Sequence, residues 1–362
     1  MAITMVGLEP IVALPISSQT AAQGQSFLGC RETLVGDRAI TAQSDYRPLP
    51  AAVTRRAWLA GAGGLAIAAG LGGYFIGQSW KTPARPQGCA DAPRTGDEHA
   101  LCAADIAFSR QGVGSPVVLL HGLGASRRAW QPIVDDLAKN HSVLLPDLPG
   151  FGFSPALAIE PNVSNLADAV AAWMRDAGLE RPHIVGNSLG GAIALELGRR
   201  GAARSVIALS PIGFWSDVER AYSYSVVAST FAVIRTIPMF AQTMAKREEV
   251  RFLLFGFFFA QSDRLFVEYA SAVVQDIQRA QAMQETLNAC NSYRVPPYRN
   301  AAPTTLAWGA HDRLLIGPQD QRARTVMPAA KHVMLPGCGH VCMADDPDLV
   351  VATVEATIAA AG

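Results

Sequence analysis

Residues 184–191 read IVGNSLGG, in which an apolar strand end runs into a Gly-x-Ser-x-Gly turn and then into the helix-like run AIALEL at 192–197. A nucleophile on a sharp turn between strand and helix sits at strained backbone angles, and flanking glycines let neighbouring segments approach closely. The stretch therefore predicts a strand, a tight turn and a helix, with Ser188 as the candidate nucleophile. The first amides of that helix would face an oxyanion formed at the turn.

A serine hydroxyl needs a base, and the base needs an orienting acid. For this kind of turn the chain order is Ser, then Asp or Glu, then His. The β-prone run TTLAW at 304–308 ends in GAHD, which places Asp312 just beyond a predicted strand. The run HVML at 332–335 is followed by PGCGH, which places His340 on a glycine-rich loop. The order of these residues therefore predicts that Asp312 orients His340 and that His340 acts as the base.

A third element lies upstream, where the apolar run VVLL at 117–120 closes in HGLG. Its glycines would let the amide of Leu123 face a reacting carbonyl alongside the amide of Leu189, so these two amides are the predicted oxyanion hole. His121 is expected to fix this turn by hydrogen bonding, because no second histidine or carboxylate accompanies it at metal-ligand spacing. Neither a metal nor any other cofactor is predicted.

Together these motifs resemble the α/β-hydrolase superfamily over residues 104–362. The resemblance implies an α/β fold with a mostly parallel sheet flanked by helices and a helical cap inserted over the active site. The turn GNSLGG is similar to that of esterases, lipases and carbon–carbon bond hydrolases, and it lacks the aspartate nucleophile of haloalkane dehalogenases and epoxide hydrolases. The motifs that carry the similarity are HGLG at 121–124, DLPGFGFS at 147–154, the turn at Ser188, WGAHD at 308–312 and GCGH at 337–340.

Other aspartates compete for the predicted roles. In the superfamily pattern Asp147 belongs to a loop after a strand and braces the active-site region without touching the reacting atoms. Asp345, Asp346 and Asp348 follow His340 and look like the start of the last helix, where acidic residues suit the helix dipole. Asp312 is therefore preferred as the orienting acid.

Composition narrows the functional classes. Half of the 362 residues are hydrophobic, 17% are charged, and 30 basic residues balance 30 acidic ones. A chain of this length can bury one large core and an accessory element, and its neutral balance does not suggest a nucleic-acid partner. No nucleotide-binding glycine loop follows a predicted strand, so a nucleotide cofactor is not expected.

The N-terminal part has a different character. Arg55 and Arg56 precede a run without a single charge from Ala57 to Trp80, which is rich in glycine and alanine. Its length could span a bilayer, and its mild hydrophobicity favours a twin-arginine export signal or a membrane anchor. Membrane contact is therefore expected through residues 57–77, with the enzyme in the cell envelope.

The segment of about ninety residues between the strand at 206–209 and the strand at 304–308 is too long for a simple connection. Its aromatic and aliphatic runs predict a helical cap whose side chains line an apolar substrate channel. The expected organisation is a flexible tail at 1–53, the signal or anchor at 54–80, a linker at 81–100, a hydrolase core at 101–213 and 299–362, and the cap at 214–298.

Six cysteines show no zinc-binding pattern. Cys89 and Cys102 flank a short polar stretch and could pair in an exported domain. Cys338 and Cys342 lie on either side of His340 in the sequence and could pair or simply pack. The expected chemistry needs neither pairing.

The expected function is hydrolysis of a carboxylic ester with a lipophilic portion through an acyl-enzyme on Ser188. The main alternative is carbon–carbon bond hydrolysis of a vinylogous diketone by the same triad. The turn HGLG disfavours that alternative, because it lacks the Ser-Gly-Pro turn familiar from those hydrolases. A noncatalytic ligand-binding envelope protein is a third reading, and the presence of Ser188, Asp312 and His340 together argues against it.

The arginine pair gives a test of export. Replacing both Arg55 and Arg56 by lysine should retain the protein inside the cell if the twin-arginine route is used, and should leave its topology unchanged if residues 57–77 are an ordinary anchor. Protease added to intact spheroplasts measures the location of the catalytic domain. A wild-type domain that stays protected until the cells are lysed would contradict its placement outside the membrane.

Overall fold

The computed structural model describes residues 101–103, 106–297 and 302–362. The predicted tail at 1–53, the signal or anchor at 54–80 and the linker at 81–100 lie outside the described residues. So does the possible Cys89–Cys102 pairing. The domain boundaries drawn from the sequence stay predictions.

One 8-stranded sheet forms the centre, with the order β1-β2-β4-β3-β5-β6-β7-β8. The strands from β4 across to β8 run parallel, while β2 is antiparallel to β4 and β1 is antiparallel to β2. This arrangement confirms the predicted mostly parallel α/β sheet. The strands are β1 (Leu101–Ala103), β2 (Ile106–Gln111), β3 (Ser115–Leu120), β4 (His141–Pro146), β5 (His183–Asn187), β6 (Ser205–Leu209), β7 (Thr304–Gly309) and β8 (Lys331–Leu335).

Helices cover both faces of the sheet because its central strands are apolar on both faces. Every residue of β5, β6 and β7 is buried. The helices outside the β6–β7 connection are α1 (Gln131–Leu137), α2 (Val163–Asp176), α3 (Leu189–Arg199), α9 (Gln319–Val326), α10 (Cys342–Asp345) and α11 (Pro347–Ala359), and a 3-10 turn at Arg127–Trp130 precedes α1.

Alternation along the strands divides the apolar core into two layers. In β5, Ile184 belongs to the layer packed with α2 and α3, and Val185 belongs to the layer packed with α1 and α11. Leu120 and Leu119 of β3 are divided in the same way. The sheet is therefore held from both sides, and the loops at its carboxyl edge start from fixed positions.

Helices fill the long connection between β6 and β7, which we term the helical insertion. The first of them begins with a capping box, in which Glu219 accepts from the Ser216 amide and Ser216 Oγ accepts from the Glu219 amide. The insertion consists of α4 (Asp217–Thr236), α5 (Pro238–Lys246), α6 (Glu248–Phe255), a 3-10 turn at Ser262–Arg264, α7 (Val267–Arg279) and α8 (Met283–Asn291).

The buried Arg251 fastens three parts of this insertion together. Its guanidinium donates to the carbonyl of Ala245 at 2.8 Å, to that of Asp263 at 3.0 Å, and also to the carbonyl of Leu265. A guanidinium taken out of water is tolerated only when its donors are satisfied. The end of α5, the body of α6 and the segment entering α7 are therefore joined at one point.

Within the described part of the chain, no single helix has both the length and the apolar character needed to cross a bilayer. Taken together, α4 and α5 meet such a test of length and composition, but they are bent by 104° at their junction.

Cys290, Cys338 and Cys342 are buried free thiols. The possible Cys338–Cys342 disulfide is therefore not formed. The Cys342 thiol instead contacts the carbonyl of Gly339 at 3.2 Å. Cys338 packs in the loop that carries His340, and Cys342 packs at the start of α10.

At the turn after β5, Gly190 lies so close to the backbone of β3 that a larger residue should destabilise the protein. A Cβ added at Gly190 would lie 2.0 Å from the carbonyl oxygen of Leu120, a backbone atom that cannot move without its strand. We expect Gly190→Ala to lower the free energy of unfolding by about 3 kcal/mol, the upper end for overpacking. Gly201→Ala is the control: its methyl meets nothing within 4 Å, and its positive φ of 74° should cost only about 1 kcal/mol. Urea denaturation measures both, and an equal loss in the two variants would contradict the clash.

Candidate active site

Ser188 lies between the end of β5 and the start of α3. Its φ of 57° and ψ of −113° are strained for a residue with a side chain. Glycine is required on both sides, because a Cβ at Gly186 would lie 2.1 Å from the carbonyl oxygen of Gly190, and one at Gly190 would meet Leu120. The Ser188 amide donates to the carbonyl of Leu209 at 2.9 Å, which fastens the turn to β6. The serine is thus held at the carboxyl edge of the sheet.

Asp312 and His340 form a direct pair beyond the ends of β7 and β8. The Asp312 carboxylate also accepts from the amides of Leu314 and Leu315, at 2.9 and 2.8 Å. Burial on its own would raise the pKa of Asp312, but the charge and hydrogen bond of His340 and the two amides outweigh it and lower the pKa below its ordinary value. The ionised carboxylate accepts from Nδ1–H of His340 across 2.9 Å, which selects the tautomer whose other ring nitrogen, Nε2, is the acceptor when the imidazole is neutral.

His121 fixes the turn after β3. The Leu148 amide donates to its Nε2 at 2.9 Å, so its Nδ1–H donates to the carbonyl of Gly122 at 2.8 Å. Burial lowers the pKa of His121 to about 4, so the ring is neutral at physiological pH. A Cβ at Gly122 would lie 3.4 Å from the Cβ of Ser188, which shows how closely this turn approaches the serine. The turn carries Leu123, whose amide is the predicted oxyanion donor.

Four of the five site residues predicted from the sequence line one cavity of about 130 Å³: Ser188, His340, Leu123 and Leu189. Asp312 lies behind His340 and is itself buried. Leu189 is the first residue of α3, and amides in the first turn of a helix have no partner within the helix. The structure thus brings together residues that lie up to 217 positions apart in the sequence, from Leu123 to His340.

Asp147 does not line this cavity but stabilises the loops beside it. Its carboxylate accepts from the amides of Arg127 and Phe153, at 2.7 and 3.0 Å, and forms an ion pair with the Arg127 guanidinium. Burial, opposed by Arg127, raises the pKa of Asp147. The carboxylate therefore connects the loop after β4 with the segment that follows the predicted oxyanion turn.

Three further residues organise the site, and the sequence reasoning did not assign them there. Asn187 Nδ2 donates to the backbone carbonyl of His340 at 2.9 Å and to that of Leu209 at 3.2 Å. Asp276 of α7 accepts from Ser126 Oγ at 2.7 Å and pairs with Arg128. The identity of the residue before a nucleophilic serine, and of one helical aspartate among many, carries no sequence signal for these contacts.

Asp345 is the third of these residues, and the expectation that it belongs to the start of the last helix is wrong. It ends α10, and its carboxylate accepts from the amides of Gly339, Ala260 and Gln261. The adjacent Asp346 caps α11 as expected, by accepting from the Leu349 amide at 3.0 Å. Asp345 therefore binds the loop of His340 to the helical insertion, through a contact with Ala260, which lies 85 positions away in the sequence.

Comparison with known proteins now identifies the family. The sequence profile of the Alpha/beta hydrolase family matches residues 117–353. The chain belongs to the α/β hydrolase family. This confirms the resemblance found in the sequence motifs.

Relatives of this α/β hydrolase include enzymes with different reactions. It is 43% identical over 93 residues to a pimeloyl-[acyl-carrier protein] methyl ester esterase from Aeromonas hydrophila, covering 25% of this chain and 35% of that protein. It is 28% identical over 263 residues to a 2-hydroxy-6-oxo-6-phenylhexa-2,4-dienoate hydrolase from Burkholderia cepacia, covering 67% and 87%. The family thus supports an enzyme with esterase and carbon–carbon hydrolase relatives.

A solved structure is similar over most of the fold. A thermophilic esterase from Thermogutta terrifontis superposes with a TM-score of 0.56 and 22% identity, covering 71% of this chain and 93% of that chain. This likeness shows the fold.

The chain spans less than half the length of several curated relatives, with coverage of 41%, 35% and 43%.

The lowered pKa of Asp312 predicts a pH-dependent stability difference. Because the carboxylate is more acidic in the folded protein than the unfolded value of about 3.9, it stabilises the fold above that pH. That contribution is lost as the pH falls through the lower folded-state pKa. Asp312→Asn should therefore reduce the free energy of unfolding by about 2 kcal/mol at neutral pH. Urea titrations of both proteins across the acidic range should show the gap closing, and a gap of constant size would contradict the ionised pair.

Proposed function

We propose that this α/β hydrolase cleaves a carboxylic ester with a lipophilic portion through an acyl-enzyme on Ser188. The observation that carries the proposal is the hydrogen-bonded Asp312–His340 pair next to a cavity that Ser188 also lines. A strained serine, an imidazole oriented by a buried carboxylate and nearby backbone amides are the parts that acyl transfer needs.

In the proposed first half-reaction, His340 Nε2 takes the proton of Ser188 Oγ while Oγ bonds to the ester carbonyl carbon. The amides of Leu123 and Leu189 receive the negative charge of the resulting oxyanion. Collapse of this intermediate breaks the bond to the alcohol oxygen, which takes the proton from His340. Water then repeats the sequence on the acyl-enzyme, so that the acid is released and Ser188 regains its proton. Asp312 keeps the imidazole in the required tautomer and stabilises its charged form.

The cavity lining supports a lipophilic substrate. Most of the side chains around it are apolar, and the helical insertion supplies many of them. Such a lining favours an acyl or alcohol portion made of hydrocarbon, because burial of apolar surface is worth about 25 cal/mol per Å². The aromatic members of this lining are Trp215, Tyr224, Phe231, Phe255, Phe258, Phe259 and Tyr269.

The second candidate is carbon–carbon bond hydrolysis by the same triad. The Burkholderia cepacia relative, whose name specifies a hexadienoate hydrolase, favours it because the match extends over 263 residues. The turn HGLG at 121–124 favours the ester reaction instead. Comparing turnover of a panel of p-nitrophenyl esters with turnover of a vinylogous diketone decides between the two candidates.

We also propose that the enzyme works in the cell envelope, with membrane contact through residues 57–77. The support is the uncharged run that follows Arg55 and Arg56. A lipophilic ester partitions into membranes, which agrees with that placement.

Ser188→Ala tests the proposed function. The variant should lose labelling by a fluorophosphonate probe and should lose ester turnover by about 10⁴- to 10⁶-fold, because the covalent acceptor is gone. Ser210→Ala is the matched control: Ser210 also follows a buried strand and has a positive φ of 42°. It should keep both labelling and turnover. Labelling that persists in Ser188→Ala would remove Ser188 as the nucleophile.

A further inference from the structure

The helical insertion exposes a set of large apolar side chains on its outer surface. Met239 and Phe266 are 83% and 81% exposed, and Leu253 and Phe252 are 70% and 57% exposed. Isolated apolar residues are common on protein surfaces, but a contiguous group marks a site of interaction. We define the outer patch as Ile237, Met239, Phe240, Phe252, Leu253, Phe266 and Val267.

The outer patch belongs to one packed unit. Helix α5 packs against both α6 and α7, and α6 packs against the 3-10 turn that precedes α7. These are the segments that carry the patch. The Arg251 guanidinium also donates to two backbone carbonyls close in sequence to patch residues. One is that of Ala245 in α5, and the other is that of Leu265, immediately before Phe266. The exposed side chains are therefore carried by helices and turns that pack against one another.

Helix α6 contributes side chains both to the outer patch and to the cavity wall. Phe252 is 57% exposed, whereas Phe255 is 1% exposed and lines the cavity. The two rings lie three positions apart on a helix of eight residues. A surface that contacts the outer patch would therefore lie against the wall of the proposed substrate chamber.

We propose that the outer patch docks on the surface of a lipid bilayer, by insertion of its apolar side chains among the lipids. The inference rests in part on the proposed envelope placement, because the uncharged segment 57–77 of the same chain would hold every copy beside a membrane. The segment from Gln78 to Ala100 spans at most about 80 Å when fully extended, so many faces of the domain can reach the bilayer. We expect the face that bears the outer patch to be the one that contacts the bilayer.

The charges around the outer patch indicate how it would bind. Between positions 235 and 268, excluding the buried Arg251, the basic side chains are Arg235, Lys246, Arg247 and Arg264, and the acidic ones are Glu248, Glu249, Asp263 and Glu268. Four charges of each sign give no net attraction to an anionic surface. Apolar insertion is therefore the driving force, and docking should occur on zwitterionic phosphatidylcholine and be insensitive to salt.

Photo-crosslinking of the full chain in phosphatidylcholine vesicles tests the docking directly. The photoreactive residue benzoylphenylalanine replaces Phe252 or, separately, Phe266, and the control replaces Val113, which is 82% exposed on the β2–β3 turn. We expect lipid adducts at 252 and 266 but not at 113. Equal adducts at all three positions, or adducts to a second copy of the chain at 252, would overturn the proposal. This readout does not require catalysis, so it stands even if the ester reaction fails.

A second experiment asks whether docking serves turnover. The triple variant Met239→Ser, Phe252→Ser, Phe266→Ser should keep its kcat/KM on a short dissolved ester and lose at least about tenfold on a long-chain ester embedded in vesicles, because three apolar insertions are removed. Val113→Ser combined with Ile159→Ser controls for loss of exposed apolar surface elsewhere. An equal loss on both substrates, or no loss on either, in a variant with an unchanged circular dichroism spectrum would overturn a role in reaching membrane substrate.

Discussion

Crowding at the carboxyl end of β5 is the constraint on which the site depends. The chain leaves the sheet, turns at Ser188 and enters α3. This turn is in close contact with the ends of the neighbouring strands, at Leu120 of β3 and Leu209 of β6. Backbone atoms lie within about 2 Å of where a Cβ would stand at Gly186 and Gly190, so only glycine fits there. The strained backbone of Ser188 is kept because sheet and helix hold the turn from both sides. The same turn therefore positions both the Ser188 side chain and the first amides of α3.

Buried polar contacts extend this order to the loops. Asn187 connects the serine turn to the backbone of His340, and Asp147 connects the loop after β4 to the segment after the predicted oxyanion turn. Asp345 joins the loop of His340 to the helical insertion, and Asp276 joins that insertion to Ser126 and Arg128. Asp147 and Asp276 are buried and Asp345 is partly buried. A buried carboxylate is costly to leave unpaired, so the contacts favour a single arrangement of loops whose sequences are otherwise rich in glycine.

The helical insertion has two apolar surfaces that meet different surroundings. Its inner side lines the cavity next to Ser188 and His340, and its outer side bears the outer patch. Helix α6 contributes to both surfaces, because Phe255 lines the cavity and Phe252 is exposed in the outer patch.

The sequence by itself determined the fold class and the family, because strand, turn and helix signals are local and the glycines at 186 and 190 mark the turn between them. It also singled out Ser188, Asp312 and His340 as candidates, through their order and their positions after apolar strands. Only the tertiary structure decided that Asp312, and not Asp345, faces the His340 imidazole. It also decided that Cys338 and Cys342 remain free thiols. The hydrogen bonds by which Asn187 and Asp276 hold the loops around the cavity were likewise visible only in the structure. Those outcomes depend on contacts between residues as much as 153 positions apart, and no local pattern of residue types records which distant loop a side chain will meet.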